Sequence, residues 1–383
     1  MNYWEVSLMD CQIKITDNKA VWKIQAALAL IFLLNPFLGV LSTLFFVFVS
    51  KEKSMAFYLV IILTLFMWCL QSTRSFHLGE PSDWAGNYYY NFHNAAITDT
   101  LTYLFFTTKE YAWQAFNLIG YYLFDGDFLS YANFIVALTY MFTFAAIYKF
   151  WNYIQADPRF LVASLCLFAF VTEVNGICNN LLRQQFAMSM MLYAIIERCT
   201  NGRILYPLLV ISFFTHTMTG FFIPFLFIRL GKKASFRFYI YIVLGFGLLY
   251  ILFTNLSIFS SSSFYAFQRL ATASNAYALK DIIQPSAVYP FLAVTVILYV
   301  KAFFFDSERR KCELYINNLF LILISMCLLM TSMPLMQTRY FIIRFFFMPL
   351  VVPYFFTAKG SLCDYYLITV PPVSYTHLRA HET

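Results

Sequence analysis

"NNLLRQQFAMSMMLYAI", residues 179–195, has the length and apolar content of a membrane helix, yet it opens on Asn179, Asn180, Arg183, Gln184 and Gln185. A charged side chain inside a bilayer costs a few kcal/mol on insertion scales and on the order of 10 kcal/mol by simulation. Arg183 therefore needs a partner, a hydrated setting or a ligand. On a helix it shares a face with Asn180, Ala187, Met190 and Ala194, by steps of three and four. That face is partly small and polar, so it should point into a bundle.

The surrounding chain fits such a bundle. Of its 383 residues 61% are hydrophobic, 21% aromatic and 12% charged, where a soluble domain carries about 25% charged residues. Apolar runs near the length of a bilayer crossing recur along the chain, which predicts an all-α, polytopic transmembrane bundle of about 9–12 membrane segments. No long polar linker divides it, so residues 1–370 read as one integral membrane domain. The net charge of +7 is not a nucleic-acid signal, because Lys and Arg lie mostly in short connections between apolar runs. The eight cysteines show no CxxC and no Cys/His metal spacing, and read as small packing residues. No metal or cofactor is expected.

Membrane spans are expected at 24–49, 55–73, 129–149, 159–177, 181–197, 236–256, 287–305, 315–333 and 341–357. Residues 111–124, "YAWQAFNLIGYYLF", are too short for an ordinary crossing and suit an interfacial or re-entrant helix. Residues 204–229 hold His216 at their centre among Thr215, Thr217, Thr219 and Gly220, with Pro207 and Pro224 near the ends. They read either as one helix broken at its centre or as two half-helices meeting at a polar tip. If 111–124 does not cross and 204–229 enters and returns, the basic connections near Lys51, Lys149, Arg198, Arg229 and Arg309 all fall on one side, the cytoplasm. The connections 74–112 and 257–286 then face outward. The N-terminal Lys14, Lys19 and Lys23 disagree, since this arrangement places them outside too.

The outer connection 74–112 is rich in Tyr, Asn, Asp, His and Trp. It suits sugar binding, or an aromatic belt at the membrane interface. Beyond "DYYLITV" the text "PPVSYTHLRAHET" resembles translated adaptor sequence, so 371–383 read as a non-native tail.

Candidate functional residues follow from their settings. Arg183, at the outer end of its helix, could meet an anionic ligand; otherwise it snorkels or pairs with Glu173. His216 in "FFTHTMTG" could act as a base or bind phosphate; a packing histidine bonded to a carbonyl is the plainer reading. Arg339 and Arg344 in "MPLMQTRYFIIRFFFMPL" lie where a connection meets an apolar run, five residues and about 140° of helix apart. Both suit diphosphate binding or snorkelling. Asp83, with Arg74 before it and Tyr88 after it, could be an outward-facing base or a helix cap. There is no P-loop, GxGxxG, HExxH, GxSxG or DxD motif, so a cytosolic nucleotide-sugar donor is not indicated.

The order of these features carries a resemblance. "STRSFHLGEPSDWAGNYYY", then "LLRQQFAMSMMLYAI", "FFTHTMTGFFIPF" and "TRYFIIRFFF" together resemble the EpsG-like family of bacterial exopolysaccharide and capsule polymerases, relatives of the Wzy O-antigen polymerases, over about residues 24–357. Thr217 and Met218 stand where the family often has Ser and Ala, and Pro-Ser-Asp stands for Gly-x-Asp. The resemblance implies a multi-pass protein of the bacterial inner membrane. It implies a metal-independent, glycosyltransferase-type polymerisation of repeat units at the outer face. An undecaprenyl-diphosphate-linked oligosaccharide is donor and acceptor, membrane lipid surrounds it, and a chain-length regulator and a flippase are expected partners. Within it, Arg183, Arg339 and Arg344 would bind the diphosphate and His216 or Asp83 would be catalytic. Arg74, Tyr88, Asn180 and Gln184 would contact substrate. A membrane O-acyltransferase and a lipid-linked oligosaccharide transporter are the alternatives.

Overall fold

The computed structural model describes residues 18–50, 53–74, 83–105, 110–155, 157–170, 181–228, 310–329 and 334–355, with isolated positions between them. All regular structure among the described residues is helical. Among the described residues two helices are long and apolar enough to cross a membrane, Ser54–Ser72 and Phe128–Tyr153. The spans expected at 236–256 and 287–305, most of the connection 257–286, and the tail lie outside the described residues.

The run 24–49 is not one crossing. It forms α1 (Asn18–Leu34) and α2 (Pro36–Ser50). The Asn35–Pro36 pair divides them: a residue before proline is pushed out of the helical region, and proline fits a helix start. The Asn35 side chain accepts the Leu38 amide at 3.1 Å. The chain then doubles back. The Tyr58 hydroxyl on α3 (Lys53–Ser72) donates to the Gln25 carbonyl at 2.9 Å, which requires α1 to run antiparallel to α2. Gly39 makes this possible, since a Cβ there would lie 2.4 Å from the Phe32 Cα. Both open ends of the hairpin therefore lie together, at one end of the bundle.

At the centre stand α7 (Phe128–Tyr153), α8 (Pro158–Phe170) and α9 (Leu182–Asn201). Phe57 meets Tyr148 at 5.6 Å and Trp84 meets Phe128 at 5.7 Å, so α3 and α7 are antiparallel. Trp151 stacks on Phe160, and Tyr140 meets Phe168, so α8 returns beside α7. Lys149 pairs with Glu197 while Phe142 touches Phe186, so α9 runs parallel to α7. Helix α9 is buried nearly all round, including Gln184, Gln185, Ser189 and Glu197. It is the axis of the fold, and its first turn carries Arg183.

Residues 204–228 fold as a hairpin with its tip at His216. Helix α10 (Tyr206–Thr215) rises beside α9, where the Ser212 hydroxyl donates to the Ala187 carbonyl at 2.8 Å. It stops at His216. A 3-10 segment (Thr217–Phe222) and α11 (Ile223–Phe227) descend again. The return is fixed by Arg198 in the last turn of α9, whose Nε donates to the Leu226 carbonyl at 2.9 Å. Gly220 allows the arms to touch: a Cβ there would lie 2.8 Å from the Phe213 ring.

The other end is capped by a π-helical turn (Trp84–Tyr88), α4 (Tyr89–Ile97), α5 (Thr100–Leu104) and α6 (Tyr111–Leu123). Helix α6 lies across the bundle end. Tyr111 meets Phe214, Phe116 meets Phe186, and Asn117 accepts the Tyr131 hydroxyl at 2.8 Å. Finally α12 (Arg310–Leu329), α13 (Pro334–Ile342) and α14 (Arg344–Phe355) complete the bundle. The run read as 341–357 is thus broken at Ile343, between α13 and α14.

Candidate functional site

Three elements converge at the capped end: the start of α9, the hairpin tip and α13. Arg183 is the second residue of α9. Its Nη1 donates to the Glu110 carboxylate at the start of α6, and its guanidinium lies 5.9 Å from the Tyr88 ring centroid. Its Nε is buried with no hydrogen-bond partner among the described residues. An arginine so placed has a carboxylate and an aromatic face in place of bulk water. Glu173, the partner considered from sequence, lies outside the described residues, as does Asn180.

His216 joins α10 to the 3-10 turn in extended backbone, φ −154° and ψ 117°. It is 9% exposed. Its Nδ1 accepts the Met218 amide at 3.3 Å, and its carbonyl accepts both the amide and the hydroxyl of Thr219, at 3.1 and 3.0 Å. Thr219 therefore braces the tip, and the Thr215 hydroxyl donates back to the Ile211 carbonyl at 2.7 Å. With Nδ1 an acceptor, the ring proton resides on Nε2. The charges of Arg183 and Arg339 both bear on this ring.

Arg339 sits in the last turn of α13 and is exposed. Its carbonyl accepts Gln184 Nε2 at 3.1 Å, which joins α13 to the first turn of α9. Gln184 is 3% exposed, so it braces the site rather than facing solvent. Arg183, His216, Arg339 and Gln184 are thus brought together.

The other candidates are placed differently. Arg344 is 2% exposed. Its guanidinium lies 3.5 Å from the Phe341 ring centroid and 4.2 Å from that of Phe345, and Nη1 donates to the Phe341 carbonyl. This is a buried cation held against two aromatic rings. Arg74 covers the Trp84 ring at 4.3 Å. Asp83 is exposed, precedes the π-helical turn and makes no side-chain cap bond there. Tyr88 is 6% exposed. Burial pushes its phenol up to about 12, against the opposing pull of Arg183. Tyr88 accordingly packs beneath Arg183 and against Trp113 and offers no face for sugar stacking.

Glu110 was not singled out from sequence. The available signal was the need of Arg183 for a counter-ion, in a chain with 19 acidic residues, but nothing local ties positions 110 and 183. Among the described residues no group of three His, Cys, Asp or Glu is placed to hold a metal ion. A cavity of about 30 Å³ near Ala56, Trp151 and Leu161 lies at the opposite end, away from the cluster.

A bundle that is helical throughout its described residues, with a hairpin tip that brings a histidine near two arginines, is the class of architecture that these elements define. The EpsG family model matches residues 57–371, and the chain belongs to the EpsG family. This is a polysaccharide polymerase-like family, which gives the chain a role in polysaccharide biosynthesis. No curated protein and no solved structure matches the chain.

Proposed function

We propose that the protein joins polysaccharide repeat units at the outer face of the bacterial cytoplasmic membrane. The donor glycan leaves a polyprenyl diphosphate and passes to a hydroxyl of a second lipid-linked unit. The observation that carries this is the convergence of Arg183, Arg339 and His216 at the hairpin tip. The placement of charge supports the orientation. Lys149, Arg159, Arg198 and Arg203 gather at the bundle end opposite that tip, which the positive-inside rule assigns to the cytoplasm. The α1–α2 hairpin brings the backbone at Lys19 and Lys23 to that same side, which supports this orientation; Lys14 lies outside the described residues.

The residues divide the chemistry as follows. The anomeric C–O bond to the diphosphate breaks with its electron pair going to the diphosphate, while the acceptor oxygen bonds to the anomeric carbon. Negative charge grows on the leaving group, and fixed guanidinium groups stabilise it without requiring a metal. Arg183 and Arg339 fill that role. His216, with Nδ1 engaged and Nε2 protonated, donates a hydrogen bond to a diphosphate oxygen. The acceptor proton then passes to a carboxylate, for which Asp83, exposed and electrostatically coupled to Tyr88, is the candidate. Arg344 supports the site by anchoring α13 to α14. A chain-length regulator and a flippase are the proposed partners.

Gel analysis of surface glycan and lipid-linked intermediates after deletion of the gene tests this reading. A lost polymer ladder with a single lipid-linked repeat accumulating outside supports it. An intact ladder lacking only acetyl groups assigns the protein to O-acyl transfer instead.

A further inference from the structure

The carboxylate of Glu110 occupies the place where the proposed reaction needs a phosphate. It sits at the start of α6, where its carbonyl takes the Gln114 amide at 3.1 Å, and its side chain meets the Arg183 fork through Nη1. The two side chains are 14% and 26% exposed, so the pair is partly desolvated and stronger than a surface ion pair. Yet Arg183 Nε is buried without a partner among the described residues, so the grip leaves part of the fork unused. Arg339, nearby, is exposed.

Consider what competes for such a site at the level of the head groups. Each membrane phosphodiester carries one negative charge, and so does Glu110. A carboxylate held on the protein has the advantage of proximity over a free anion of equal charge. A diphosphate carries two charges as the diester of the lipid-linked substrate and about three as the free lipid diphosphate, with enough oxygens in either form to engage Arg183 together with Arg339 or His216. We propose that Glu110 is a resident anion that sets a charge threshold: it keeps singly charged phospholipid head groups off Arg183 and yields to the diphosphate of the lipid-linked substrate. This deepens the polymerase reading and rests on it. Glu110 is here a specificity residue, and no bond is made or broken by it.

The test measures undecaprenyl diphosphate binding to the purified full chain in phosphatidylcholine vesicles, with and without phosphatidylglycerol. For the natural protein, phosphatidylglycerol should change the Kd by less than about twofold. Glu110→Gln should bind the diphosphate about tenfold tighter in phosphatidylcholine alone and lose about that factor when phosphatidylglycerol is added. Glu110→Asp keeps the charge on a shorter arm and should show intermediate sensitivity; it carries the test if Glu110→Gln does not fold. Weaker binding by Glu110→Gln in phosphatidylcholine would make Glu110 a mere brace for Arg183 and overturn the proposal. So would variants as indifferent to phosphatidylglycerol as the natural protein. If the natural protein itself fails to bind undecaprenyl diphosphate, the polymerase reading fails and the threshold falls with it.

Discussion

Arg183 should be the least replaceable side chain of the cluster. Lysine keeps the charge but loses the planar fork that Glu110 engages and that a diphosphate would share. Arg183→Lys should lower polymer formation by about a hundredfold at normal protein level, which gels of surface glycan would show. Near-normal polymer would remove Arg183 from the site. His216 permits a finer test, because its two ring nitrogens have separate tasks. Glutamine can place a donor near Nε2, whereas asparagine reaches only the Nδ1 position that caps Met218. Glu110 aside, His216→Gln should therefore retain more turnover than His216→Asn. The reverse order would assign the chemistry to Nδ1.

The hairpin is the element that positions these groups, and its weak point is the contact of Gly220 with Phe213. Gly220→Ala should cost about 1–3 kcal/mol through overpacking, read as a lowered thermal midpoint in detergent. Phe213→Leu in the same chain should recover part of that loss. No recovery would mean that the arms do not touch there. The aromatic cap predicts a pH response. Burial pushes the phenols of Tyr88 and Tyr103 up to about 12. A raised folded-state pKa stabilises fully below the unfolded value of 10.0, and that contribution is lost as pH rises towards 12. Tyrosinate absorbance and loss of near-UV circular dichroism should therefore rise together above pH about 10. Ionisation of all tyrosines at the ordinary value with the cap intact would contradict this.

At the scale of the whole molecule, both ends of each hairpin lie on one side of the bundle. Single cysteines introduced at Gln155, Gly202 and Lys311 should react with a membrane-impermeant thiol reagent only after the cells are opened. Cysteines at His77, Asp99 and Asp125 should react in intact cells. Labelling of both groups from the same side would break the topology. Much of this organisation was legible in the sequence: apolar runs gave α3, α7, α8, α9 and α12, and the threonine-glycine setting of His216 marked a polar tip. The α1–α2 turn was missed because an apolar run of 26 residues satisfies a single crossing equally well, and only the Asn35–Pro36 pair argues otherwise. The burial of Tyr88 and Arg344 was not legible, for a common reason. Residue type and local spacing do not reveal which side chain the tertiary fold will bury. Glu110 stayed hidden because its pairing with Arg183 spans 73 positions of chain.

The most direct measurement is turnover of a purified lipid-linked repeat unit by the protein reconstituted in vesicles, followed on gels, for the natural chain and for Arg183→Ala. The natural chain should give a ladder of polymer with release of polyprenyl diphosphate, and the variant only unreacted single repeats. A ladder of equal yield from Arg183→Ala, or none from a folded natural chain, would contradict this.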